Sequence, residues 1–293
     1  MCQKKLNLRK LEEHRKLISY RMRNPMVYLE RAILKNKGGN VIAYTGEEIR
    51  SIPVANVAAI VLGPGCSVTT EAVRRSAARG CTLIFAGGDG LSVFAQSAGF
   101  RDARRRIEQG AMHRSKVRRL RQARFLLTER NRMIAEAGDI PRIDSLSITE
   151  AKSVNELMLL EARWTRQICF ILARKYNIPR EYNLRSPSSP LMLINSFLYA
   201  MATSVVASLG LDPGLGFLHG ASRGGGLVFD IADVFKPLLG FELTFYCIAN
   251  SITSPTKVKA EFLRQARRKR LQERMVKLLL TLFDEEDHAA RNK

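Results

Sequence analysis

The sequence predicts an α+β protein, with a small β-rich N-terminal domain followed by a larger all-helical one. Three observations carry this. Between residues 26 and 97, short runs of β-branched and aliphatic residues alternate with turns marked by Gly and Pro. From about Phe100 onward such clusters thin out and charged residues recur in long helical stretches. The chain's 293 residues, 46% of them hydrophobic, can bury a large core in one domain or two. The expected divisions are a basic arm at 1–25, a β-rich domain at 26–97 and a helical domain at 98–293.

Residues 1–24 are polar and basic, with Leu6, Leu8, Leu11 and Leu17 loosely spaced, and no structure is assigned to them. Met26 to Leu34 is a strand-prone run, 35–40 a turn with Gly38 and Gly39, and Val41 to Thr45 the returning strand of a hairpin. Ile49 to Pro53 and Val57 to Leu62 add strands, the second stopped by Gly63-Pro64-Gly65. That turn is not a dinucleotide loop: the third glycine is missing and Pro64 removes an amide that phosphate would need. Thr69 or Thr70 caps a helix to about Arg79, with Arg74, Arg75 and Arg79 exposed. Cys81 to Ala86 is a buried strand, Gly87 to Gly90 a turn, and Leu91 to Ala95 a further strand.

In the helical part, Arg101 to Arg132 reads as two helical pieces broken near Gly110, and 138–147 as a linker with Pro141. Thr149 to Tyr176 is one long helix or two, with an apolar stripe through Leu157, Leu160, Trp164, Ile168, Ile171 and Leu172. After a loop at 177–190, Leu191 to Leu209 is a strongly apolar helix carrying Asn195 and Tyr199, ended by Gly210 and the Asp212-Pro213-Gly214 turn. Phe241 to Ile252 packs as core, and Thr256 to Phe283 is a final basic helix closed by the acidic run 284–287.

Formal charge is +21, from 48 Lys and Arg against 27 Asp and Glu, which points to a polyanionic partner. The imbalance is sharpest between 101 and 132, where only Asp102, Glu108 and Glu129 oppose a series that includes Arg104, Arg105, Arg118 and Arg119. Arg267 and Arg268 add to it in the last helix. No apolar run approaches the roughly 18 residues of a spanning helix, and the charged N-terminus lacks a secretory apolar core. A cytoplasmic protein without a membrane partner is expected, its five cysteines reduced and buried.

The chemistry concentrates between Gly214 and Pro237. There His219 follows a Gly-rich apolar approach, a pliable segment carries Arg223, and Asp230 and Asp233 stand three apart, neighbours on one helix face. Imidazole plus carboxylate without nearby Cys suits a manganese-type cation better than structural zinc. The competing structural reading is that Asp230 caps the helix that starts there.

Three blocks, taken in order, resemble one known family: Ile52 to Thr70; Leu191 to Gly220 with Ile194-Asn195, Leu198-Tyr199 and Leu-Gly-Phe-Leu-His-Gly; and Leu227 to Lys236. The chain is similar to the CRISPR-associated spacer-acquisition integrases ("Cas one"), especially the type I-E-like branch. The resemblance implies a metal-dependent DNA integrase that inserts captured DNA into a CRISPR array by 3′-hydroxyl attack on a phosphodiester. Its implied metal ligands are Glu161, His219 and Asp233, with Asp230 a further catalytic acid and Mn2+ or Mg2+ as the ion. Ala162 follows Glu161 where many relatives have Gly, and Ser92 and Phe94 occupy the hairpin positions that are usually basic and aromatic. Double-stranded DNA, a small "Cas two" protein and a homodimer within a heterohexamer are the implied partners, with Arg223 and the basic helices on the DNA backbone. Hydrolytic endonuclease action with the same ligands, and a non-catalytic basic DNA scaffold, are the alternatives.

Overall fold

The structure, a computed structural model, describes residues 23–291 apart from 25, 47, 87–92, 97–102, 139, 180, 181, 185, 187, 188 and 221–223. Arg223, the turn at 87–90, Ser92 and all of the 1–25 arm except Arg23 and Asn24 lie outside the described residues. An N-terminal β-sheet region precedes a mostly helical region. Among the described residues the strands form two four-stranded sheets.

The first sheet contains β1 (Val27–Leu29), β5 (Ala59–Leu62), β7 (Thr82–Ala86) and β8 (Val93–Gln96), in that order, with only β8 antiparallel to its neighbour. The second is a meander of β2 (Ala32–Lys37), β3 (Asn40–Thr45) and β4 (Glu48–Ile52), with β6 (Ser67–Val68) added parallel to β2. The hairpin is therefore present, but Met26 to Leu34 is not one strand. Arg31 adopts φ 48°, and its N–H donates to the Pro64 carbonyl, so the chain leaves one sheet and enters the other within two residues. β-Propensity alone cannot register such a kink.

All four residues of β5 are buried, because both of its faces are covered. Ile60 and Leu62 pack with the meander residues Leu34, Val41 and Ala43. Ala59 and Val61 instead join Ile84 and Met26 in the main core of the helical part. Between β6 and β7, α1 (Thr70–Ala78) is capped by the Thr69 hydroxyl, which accepts the Ala72 N–H. Arg75, expected exposed, is half-buried and donates Nε to the Gly39 carbonyl at 2.7 Å.

The basic stretch forms α2 (Arg104–Arg114) and α3 (Lys116–Ala137). The break falls at Ser115, not Gly110, because the Ser115 hydroxyl caps α3 by accepting the Arg118 N–H. Asp144 likewise caps a short helix, α4 (Ser145–Glu150), which starts within the expected linker and runs past its end. Ser153 caps α5 (Val154–Lys175) by accepting the Glu156 N–H, and the Glu156 carboxylate accepts the Lys152 N–H in return. Next comes α6 (Pro190–Ser208), whose 19 residues at mean hydropathy 1.6 are long and apolar enough to span a membrane by length and composition. That corrects the expectation of no such run, and burial of most of α6 against β7, β8 and other helices accounts for its composition.

The chain continues through α7 (Gly226–Phe235), a π-turn at Lys236–Gly240, α8 (Phe241–Ala249), α9 (Pro255–Arg268) and α10 (Leu271–Arg291). The single final helix expected is thus two, parted where Arg270 takes φ 51°. The long helix α3 separates two hydrophobic clusters. Leu126 and Met133 face α6, α7 and the sheet, while Ala123, Leu127 and Ile134 face Trp164 and Ile168 of α5.

Candidate active site

The segment from Asp212 to Gly220 lies across the start of α7 in backbone contact with it. A Cβ on Gly216 would stand 2.4 Å from the Gly226 carbonyl carbon, and one on Gly226 would stand 2.4 Å from the Gly220 oxygen. Only hydrogen fits at both positions. The Leu227 N–H donates to the Pro213 carbonyl, while Phe217 sinks into the main core and Leu218 into the cluster around α5. Consecutive side chains anchored on opposite sides fix the backbone immediately before His219.

Asp230, 1% exposed, points from α7 into this segment. One of its oxygens accepts the Phe217 and Leu218 N–H groups; the other accepts the His219 N–H at 2.9 Å and His219 Nδ1–H at 2.8 Å. It does not cap α7, which starts four residues earlier. The capping reading is half right in chemistry, since a carboxylate does collect backbone N–H groups, but they belong to the preceding segment.

With Nδ1 engaged, Nε2 of His219 faces Asp233 Oδ2 at 3.6 Å. Neutral imidazole offers a lone pair there; imidazolium offers a proton. Burial pulls the His219 pKa down, but the bond to Asp230 and the charges of Asp233 and Glu161 outweigh it, and the net direction is up. Burial raises Asp233, yet Lys236, His219 and Arg130 together hold it below its usual value. Lys236 Nζ lies 2.5 Å from Asp233 Oδ1 and donates to the Tyr199 hydroxyl at 3.0 Å. Burial works against the ammonium, but Asp233 and Tyr199 prevail and raise its pKa. Phe229 bridges the rings of Tyr199 and His219 edge-on.

Glu161 approaches from α5. Its carboxylate accepts Arg130 Nη1 at 2.7 Å and the Thr165 hydroxyl at 2.9 Å. Arg130 is 1% exposed and lies over the Trp164 ring, 4.6 Å from its centroid. The structure thus brings His219 against both Asp230 and Asp233, while Glu161 is bonded to Arg130 and Thr165. Among the described residues, no three His, Cys, Asp or Glu side chains stand together so as to hold a metal ion. The donor chemistry still fits Mn2+ or Mg2+: one imidazole and two carboxylates, no thiolate. Each carboxylate already faces a cation, Lys236 on Asp233 and Arg130 on Glu161, so a divalent ion there would have to displace or share these pairings.

Of the arginines expected on DNA, Arg104 and Arg268 are exposed, and Arg105 and Arg118 are half-buried. Arg267 bonds Asn24 beside the first sheet. Arg119 donates Nε to the Phe217 carbonyl at 2.9 Å. Sequence reasoning missed Arg130, Lys236 and Gln109, and named Tyr199 without giving it a role. Lys236, three residues after Asp233, carried the one available signal, a helical charge pair.

A family model described as "CRISPR associated protein Cas1" matches residues 26–285. The chain is 29% identical over 288 residues to "CRISPR-associated endonuclease Cas1 2" of Thermus thermophilus, covering 94% of this chain and 82% of that protein. It is 26% identical over 266 residues to "CRISPR-associated endonuclease Cas1" of Pectobacterium atrosepticum, covering 76% and 81% respectively. Its structure is similar to that of TtCas1 in a TtCas1–DNA complex, with TM-score 0.70 at 26% identity over 88% of this chain and 91% of that one.

Proposed function

The chain belongs to the CRISPR-associated Cas1 family, and from that membership we propose that it is a metal-dependent DNA integrase joining captured DNA to a CRISPR array by 3′-hydroxyl attack on a phosphodiester. The observation that carries the proposal is the His219–Asp233 approach held by Asp230, in a chain of charge +21. Nuclease or integrase action on DNA agrees with relatives named as Cas1 endonucleases and with the DNA-bound structural neighbour. His219, Asp233 and Glu161 would hold the divalent cation, which when bound supplies positive charge to the phosphoryl oxygens and aligns attacker and leaving group.

The protein's own groups prepare this chemistry. Asp230 fixes the imidazole orientation and keeps a proton on Nδ1, leaving Nε2 to act toward Asp233 or substrate. Lys236 offsets the Asp233 charge inside a buried site and is itself held by Tyr199. Strand transfer exchanges one phosphodiester for another, so positioning is what the protein must supply. Exposed cations such as Arg104 and Arg268 grip the DNA backbone without reading bases, and affinity falls steeply with salt. Cytoplasmic action as a homodimer with the small "Cas two" protein completes the proposal.

A strand-transfer assay on supercoiled target DNA tests it. Joined product that requires manganese or magnesium is expected. Nicked product alone would assign hydrolysis, and metal-independent binding without any product would leave a DNA scaffold.

A further inference from the structure

Gln109, in the middle of α2, is completely buried, and none of its bonds is local. Its Nε2 donates to the carbonyls of Asp212 and Leu215 at 2.8 and 2.9 Å, and its Oε1 accepts the Asp212 N–H at 2.8 Å. One turn on, His113 Nδ1 donates to the Gly216 carbonyl at 2.7 Å. From α3, Arg119 Nε reaches the Phe217 carbonyl, and its guanidinium lies so close to Gly220 that a Cβ there would stand 2.4 Å from Nη2.

The segment leading to His219 is therefore gripped along both polar edges. Its carbonyls at 212, 215, 216 and 217 go to side chains of α2 and α3, and its N–H groups at 217, 218 and 219 go to Asp230 on α7. Glutamine suits the first position because a single amide both donates twice and accepts. Shorter Asn would not reach, and an apolar residue would strand two carbonyls and an N–H without partners.

We infer that Gln109, seconded by His113 and Arg119, is a positioning residue for His219: it sets the segment's path so that the imidazole meets Asp230 and Asp233. The inference rests on the proposed function for its catalytic consequence alone. Arg119 thereby takes part in holding the segment through its Nε.

The test compares wild type with Gln109→Leu, and with His113→Ala in case the first fails to fold. Amide hydrogen exchange at 217–219 and steady-state cleavage or joining of DNA with manganese are both measured. Exchange at these amides is expected to accelerate at least tenfold while α6 keeps its protection. In the same variants kcat is expected to fall on the order of 100-fold with KM for DNA unchanged, the signature of misplaced and not missing groups. Unchanged protection at 217–219 overturns the inference, and so does a loss confined to KM. If wild type itself cleaves and joins nothing, the proposed function fails, and the exchange comparison still decides whether Gln109 holds the segment.

Discussion

Asp230 binds His219 twice through one oxygen, at the backbone N–H (2.9 Å) and at the ring Nδ1 (2.8 Å). Main chain and imidazole are thus referred to one fixed point on α7, and Nε2 can only face the Asp233 side. A carboxylate accepting four hydrogen bonds is both an orienting device and a structural one, and the two roles can be separated experimentally.

Replacement of Asp230 by Asn keeps the shape but sets an NH2 group against N–H donors. The N–H groups that face the new NH2 lose their acceptor, at about 1–3 kcal/mol each. Urea unfolding should show that loss for Asp230→Asn, and a midpoint equal to wild type would contradict the bonding described.

Glu161→Ala, His219→Ala and Asp233→Ala should each reduce strand transfer by a factor on the order of 100 or more, with DNA affinity retained. Joined product measured beside filter binding checks both parts. Wild-type joining in any one of the three removes that residue from the site.

Gly226 begins α7, where Ala would ordinarily favour the helix by about 1 kcal/mol. Here the new methyl, fixed rigidly to the helix backbone, would meet the Gly220 backbone oxygen at 2.4 Å, and neither can swing aside. Overlap of that depth outweighs the propensity gain. Gly226→Ala should lower the melting temperature and shift the His219 ring resonances; a rise in melting temperature with unchanged resonances would refute the close approach.

Burial pushes the Cys81 thiol up to about 12 and the Cys247 thiol up to about 11. At pH 8 the Cys81 thiolate is then only about one part in ten thousand. Iodoacetamide should leave both residues unmodified in the native protein and alkylate them in guanidinium, as read by peptide mass spectrometry. Prompt native labelling at either position would show that the core around it opens.

Much of this arrangement could be read from sequence because its signals are local. The Thr69 cap, the apolar run of β5 and the spacing of Asp230 and Asp233 are each set within a few residues. What escaped depends on distance along the chain. Gln109 and its partners are separated by 103 to 106 residues, and nothing in a window around Gln109 distinguishes it from a solvent-facing helix residue. Arg130 lies within the cationic stretch 101–132, and only the fold shows it buried against Trp164 and Glu161. The Ser115 break was hidden because Gly110 looked the stronger helix breaker; a hydroxyl cap proved to decide it.

Phe217 and Leu218 plug into separate hydrophobic clusters on either side of α3, one reaching to the strands and the other to α5. The imidazole that follows them behaves like a balance beam resting on two supports. Swelling of either cluster tilts it, so catalytic geometry should degrade under mild heat or low denaturant before the chain melts as a whole, and would do so whichever cluster loosened first.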